Sequence, residues 1–282
     1  APVWEEKDGR TKVDLNLKGT QSVFVVFRKP PSKADHVISV MVSDSTANWN
    51  VYSDKNGNAV ICSPKTLEAK VFYASGKEKT INTNPKPATE ITGNWKVSFV
   101  AKLDKPFEMD FPELIDFSKH SNREVNYFAG TATYHKTVNI ESDLLEKGQK
   151  IMLDLGEMND IAEVKVNGKN LGVLWYPPYS VDITGALKKG ENKLEIAVTN
   201  NWANRLIGDE QEPADFEWGK DRGEKMGRAM LAYPDWFIKN EPRPSQGRKT
   251  FSIWYYYRPD SQLKPAGLVG PVRLVSESEV KL

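Results

Sequence analysis

An all-β fold is what this 282-residue chain predicts, and three features carry that expectation. Apolar side chains recur with period two in many short runs, the pattern of strands buried on one face. Turn formers separate the runs, among them Asn56-Gly57 and Asn167-Gly168, a pair whose tolerance of positive φ suits a tight hairpin. Helical signals are few, and no internal repeat of about 20–50 residues appears, so a β-sandwich is favoured over a propeller or solenoid.

Taken in order, residues 11–17 alternate, with Val13, Leu15 and Leu17 on one face. Residues 37–42 form a β-branched run, and residues 52–58 turn through Asn56-Gly57 into Val60-Ile61. The next residue, Cys62, reads as a small buried hydrophobe within that strand. Residues 71–74 stop at Ser75-Gly76. Residues 82–89, rich in Asn, Thr and Pro, read as a linker and place a boundary near residue 90. A small β-rich domain over 1–90 would then precede a larger one over 91–282. Within the larger one, Trp95, Val97 and Phe99 alternate, as do Ile151, Leu153 and Leu155, and then Leu194, Ile196 and Val198. Residues 164–166 and 171–175 flank the Asn167-Gly168 turn. Phe251, Ile253, Tyr255 and Tyr257 mark a late strand, and residues 272–275 a closing one. Two short helices are expected, one at 142–146 with Ser142 as N-cap and one at 202–207.

Charge and apolar run length exclude several classes. Lys and Arg total 39 against 38 Asp and Glu, so no global field favours nucleic acid or an anionic membrane. The longest apolar runs, 23–27 and 253–257, fall far short of the ~20 residues a membrane-spanning helix needs. A single cysteine excludes an internal disulfide and Cys-rich metal centres. The chain opens at Ala1 with neither an initiator Met nor a charged-then-apolar leader, and so reads as a processed form or a piece of something longer.

Catalytic signatures are sparse. There is no Gly-x-Ser-x-Gly elbow and no phosphate-binding glycine loop, and His36, His120 and His135 sit outside any catalytic pattern. Residues 209–224 are dense in acids, and a glycosidase needs two opposed carboxyl groups. Lys220, Arg222 and Lys225 are interleaved with those acids, as in a solvated loop. The same acids suit calcium in type, but the Asp-x-Asp-x-Asp-Gly spacing is missing, so no cofactor is expected and calcium stays an alternative without a motif behind it.

The aromatic residues are more informative. Trp175, Tyr176 and Tyr179 surround two prolines; Trp202 lies among Asn201, Asn204 and Arg205; Trp236 follows Pro234-Asp235. Sugar rings stack C–H faces on aromatics while their hydroxyls need amide, guanidinium and carboxylate partners. These residues, with Asp209 positioned to orient Arg205 through an ion pair, are the candidate carbohydrate-binding set. The alternative reading has the same aromatics plugging the open end of a sandwich.

Several strings carry a resemblance. Residues 127–134 (YFAGTATY), 153–156 (LDLG), 163–168 (EVKVNG), 171–179 (LGVLWYPPY), 181–184 (VDIT) and 198–209 (VTNNWANRLIGD) resemble, in order, the sugar-binding domain of glycoside hydrolase family 2. That domain is a galactose-binding-like jelly roll. Residues 22–28 (SVFVVFR) and 263–274 (LKPAGLVGPVRL) resemble the C-terminal part of family 106 α-L-rhamnosidases; residues 35–85 resemble nothing known. The resemblance implies catalytic carboxylates in an upstream barrel, so no catalytic residue carries over to this chain. It also implies a bacterial protein exported to the periplasm or beyond, acting on plant-type oligosaccharide or polysaccharide.

Three readings follow. The first is a non-catalytic, carbohydrate-binding accessory module whose partners are a glycan and the upstream catalytic domain. The second is a purely structural domain that buttresses that barrel. The third is a self-sufficient glycosidase using acids of 209–224.

Overall fold

The computed structural model describes residues 1–15, 17, 22–26, 34–223, 227–250 and 252–282. Two antiparallel sheets stack into a sandwich. The first has six strands in the spatial order Phe107–Phe111, Trp95–Val100, Thr131–Ile140, Gly190–Thr199, Ile161–Val166 and Lys169–Leu174. The second runs Ser180–Asp182, Gln149–Asp154, Arg273–Lys281, Ala59–Ser63 and Asn50–Ser53. The period-two residues meet between them: Trp95, Val97, Phe99, Tyr134, Val164, Leu194 and Ile196 from one sheet face Ile151, Leu153 and Leu274 of the other. Alternation places each on the inner face, and shielding them from water is the main stabilisation of the sandwich. Phe99 stacks on Phe107 at 4.4 Å and meets Phe128 edge-on at 5.0 Å, and Tyr134 is fully buried beside Trp95, Phe111 and Phe117. A buried phenol needs a partner, and the Leu268 N–H donates to its oxygen at 3.0 Å.

Both expected hairpins form, but only Asn167-Gly168 makes the tight turn; at Asn56-Gly57 the glycine alone takes a positive φ, 83°, within a longer loop. Asn167 and Gly168 take φ of 52° and 78°, the double positive φ that a two-residue turn requires, and join Ile161–Val166 to Lys169–Leu174. Asn50–Ser53 pairs with Ala59–Ser63 across a loop gathered by the Asp54 carboxylate, which accepts the Asn56 and Asn58 N–H groups at 2.8 Å each. Hydrogen bonds from Asn58 above all hold the Asp54 carboxyl down to about 2.

Residues before 90 have a core of their own. Val37–Val42, Glu68–Tyr73 and Glu78–Asn82 make a three-stranded sheet, and Val37, Ile61, Ala69, Val71 and Ile81 cluster beneath it. Hydrogen bonding nevertheless crosses residue 90: Ala59–Ser63 pairs with the end of Arg273–Lys281, with Ile61 opposite Val280. Cys62 is buried in that strand.

Four elements differ from expectation. The strand expected over 11–17 spans only Arg10–Val13, paired with Trp4–Lys7; past the ladder Leu15 and Leu17 are exposed, and residue 16 lies outside the described set. No strand forms among the described residues 252–257. A lone bridge joins Trp254 to Ala229, and Ile253 and Tyr256 stay exposed because no core lies against either face. The turn at Ser142–Leu145 is 3-10, with Glu141 rather than Ser142 at the cap position and no side-chain cap bond. The second helix forms over Ala203–Asp209, starting one residue later than expected and running two further. Phe27 and Arg28, expected within an apolar run and a family-like string, lie outside the described residues.

Candidate functional site

A groove of about 550 Å³ lies over the outer face of the second sheet. Strand alternation builds its floor. Asn50 and Tyr52, Cys62, Glu277, Lys150 and Met152, and Ser180 lie on the outer face of the sheet, because alternation turns their neighbours Ile61, Ile151 and Ser276 to its other, buried face. One wall is the segment between Lys169–Leu174 and Ser180–Asp182, which passes from the edge of one sheet to the edge of the other. It carries Trp175, Tyr176 and the cis Pro177–Pro178 peptide bond. Trp49, half-buried against the small core, lines the groove together with Asn48. Trp175 and Tyr176 are 67% and 53% exposed, with rings 4.8 Å apart at 67°. Large apolar rings left in water beside amide and hydroxyl groups form a surface that a sugar ring complements.

The charges in the groove are already matched. Lys150 Nζ sits 3.6 Å from Glu277 Oε2 and 5.7 Å from the centre of the Tyr52 ring. The Cys62 thiol donates to the same Glu277 oxygen at 3.1 Å. Burial first, then the Glu277 carboxylate, push that thiol far above its usual range. The Tyr52 hydroxyl donates to Glu279; burial and that neighbouring carboxylate raise the phenol well above its ordinary value.

The expected site residues fall in separate places. Trp175 and Tyr176 line the groove, whereas Tyr179 packs against the sandwich core. Asn201 accepts the Ala203 N–H at 2.9 Å, opening the Ala203–Asp209 helix, and lines a different depression with the half-exposed Trp202. Asn204 is buried, bonded at 2.8 Å both to the Lys264 carbonyl and to the Lys264 N–H. Arg205 and Asp209 do form an ion pair, at 2.8 Å, buried and off the hydrogen-bonding line. The other Asp209 oxygen accepts the Thr250 N–H and hydroxyl, both at 2.6 Å. The Arg205 guanidinium lies over Tyr127 at 5.8 Å, and Gly208 lets that ring approach so closely that a Cβ there would sit 2.5 Å from it. Trp236 donates its indole N–H to the Asp215 carbonyl at 3.1 Å beneath the Arg243 guanidinium.

Most of the described acids of 209–223 are paired with arginines, and Glu224 lies outside the described residues. Arg248 bonds both Glu210 oxygens, at 3.0 and 3.2 Å; Arg243 grips Asp215 at 2.5 and 3.0 Å; and Arg228 meets Asp221 at 3.3 Å. Such pairing pins the long 210–265 segment to itself. Groove residues that sequence reasoning missed include Asn48, Trp49, Asn50, Tyr52, Lys150, Ser180 and Glu277. Period two marks some of them as outward-facing, but no local signal says which outward faces adjoin.

Comparison with known proteins addresses the sandwich directly. The family model described as "Glycosyl hydrolase 2 galactose-binding domain-like" matches residues 115–242. The sandwich is galactose-binding-like. Among relatives, a Formosa agariphila protein named "Putative beta-glucuronidase" is 41% identical over 273 residues, 95% of this chain and 22% of that protein. A second from that organism, named "Beta-glucuronidase", is 29% identical over 127 residues, covering 44% of this chain and 12% of its own length. A rhamnosidase structure from Novosphingobium sp. PP1Y superposes with TM-score 0.52 at 24% identity, covering 85% of this chain and 25% of that one, a likeness of fold. The chain thus spans about a fifth of the first relative's length. The galactose-binding-like core supplies the floor strands Gln149–Asp154 and Ser180–Asp182, together with Trp175 and Tyr176, all within the matched residues. Residues 48–64 add the far side of the groove.

Proposed function

We propose that this chain is a non-catalytic, carbohydrate-binding accessory part of a larger glycoside hydrolase, with the Trp175–Tyr176 groove as its glycan site. One observation carries the reading: two aromatic rings stand exposed beside Asn48, Asn50 and Ser180. The motif resemblance extends it to the C-terminal part of a family 106-type, α-L-rhamnosidase-like protein acting outside the cytoplasm. The name of the 41%-identical relative points instead to β-glucuronides as that enzyme's substrate. In either case the glycan and the catalytic domain of the same polypeptide are the module's partners. Titration with rhamnose- and glucuronate-containing oligosaccharides is expected to show weak, saturable binding that Trp175→Ala removes without changing the melting curve. No response to any glycan overturns the reading.

A second reading, an interface with a neighbouring domain, has its own support in the 210–265 segment. Leu231, Tyr233, Phe237 and Ile238 are all exposed there, an apolar surface suited to contact with another domain. Alanine at Phe237 and Ile238 should then loosen association with the catalytic domain and leave glycan binding intact.

A further inference from the structure

We infer that the groove selects uncharged sugars and rejects uronates; this rests on the groove being the glycan site. Among the described residues that line it, Lys150 is the only cation, and it is already committed to Glu277 at 3.6 Å with its ammonium 5.7 Å from the centre of the Tyr52 ring. Behind that pair stands a second carboxylate, Glu279, held by the Tyr52 hydroxyl. The lining therefore holds one cation matched by one anion and offers no unpaired cation to an acidic sugar, while Glu279, outside the lining, adds negative charge nearby. A sugar carboxylate entering the groove has to leave water, draw Lys150 away from Glu277 and then sit beside Glu277 and Glu279 uncompensated. Like charge at short range in a partly dry site disfavours that strongly. A neutral ring meets none of these costs. Its faces lie on Trp175 and Tyr176, and its hydroxyls reach the Asn50 and Ser180 side chains. Anchoring and hydrolysis then recognise different parts of one polymer if the catalytic domain acts on uronides: the module holds the neutral residues and leaves the acidic ones free.

The test separates charge from shape by using one oligosaccharide in two forms. A glucuronate-containing oligosaccharide and its methyl ester, together with a rhamnose-only oligosaccharide, are titrated into the full chain at low salt. The ester and the neutral oligosaccharide are expected to bind about tenfold more tightly than the free acid, with high salt narrowing the gap. Glu277→Gln removes one anion and releases Lys150, so it should narrow the ratio of ester to free-acid affinity about tenfold, whatever it does to the two affinities together, with an unaltered melting curve confirming the fold. Equal or tighter binding of the free acid overturns the charge selection while leaving the glycan reading in place. Failure of all three ligands, with no glycan of other composition bound, overturns the glycan reading itself.

Discussion

The Trp175–Tyr176 segment and the Ala203–Asp209 helix hold the same kinds of residue and come to opposite uses. Both were marked by aromatics beside polar side chains. In the first, the rings are exposed at the edge of a groove. In the second, Asn204 spends both ends of its amide on the Lys264 backbone, and Asp209 spends its carboxylate on Thr250 and Arg205. Residue type alone cannot distinguish a ligand site from a structural clamp; whether the polar atoms are already satisfied can.

Four measurements break or sharpen this contrast. Asp209→Ala has the largest expected effect. It strips a buried ion pair of one member and leaves Arg205 and the Thr250 N–H unmatched, so urea unfolding should lose about 3–5 kcal/mol. Asn204→Ala removes two backbone contacts at a buried position and should cost about 2 kcal/mol, again with glycan affinity unchanged in the folded fraction. Trp175→Ala reverses the pattern: calorimetric stability stays within about 0.5 kcal/mol, while glycan binding weakens by about 1–2 kcal/mol. A large stability loss at Trp175, or lost binding at Asn204, would erase the distinction between the two regions.

The smallest effect concerns pH. Burial first, with the nearby Asp116 charge adding to it, pushes the Asp160 carboxyl up to about 6 from 3.8, against the pull of its hydrogen bond from Gly267. The folded state therefore holds this proton more tightly than the unfolded chain does. Its contribution is fully present below about pH 4 and is lost as pH rises through about 6. Asp160→Asn should melt a few degrees higher than the parent at pH 7, with the two curves converging near pH 4.

How much the sequence revealed depended on distance along the chain. Period-two runs located the core residues Val97, Ile151 and Ile196 because a strand's two faces are written in adjacent residues. Asn167-Gly168 announced its hairpin for the same local reason. The groove was half legible: Trp175 and Tyr176 stood out, but Tyr52 and Glu279 meet across 227 positions, and nothing at either one names the other. Residues 252–257 misled because alternation was present without a buried surface to receive it. Residues 35–85 carry no recognised motif, yet they fall within the 95% of the chain that the Formosa agariphila relative matches and furnish Trp49, Asn50 and Tyr52 to the groove.

The Arg273–Lys281 strand has a mechanical consequence. Its first half pairs with Gln149–Asp154 over the main core; its last residues pair with Ala59–Ser63, and Val280 and Leu282 pack on the small core. Tension applied at Leu282 would reach the small core first and the main one only after those end pairings part. A tether fixed there would therefore register two successive yield events rather than one.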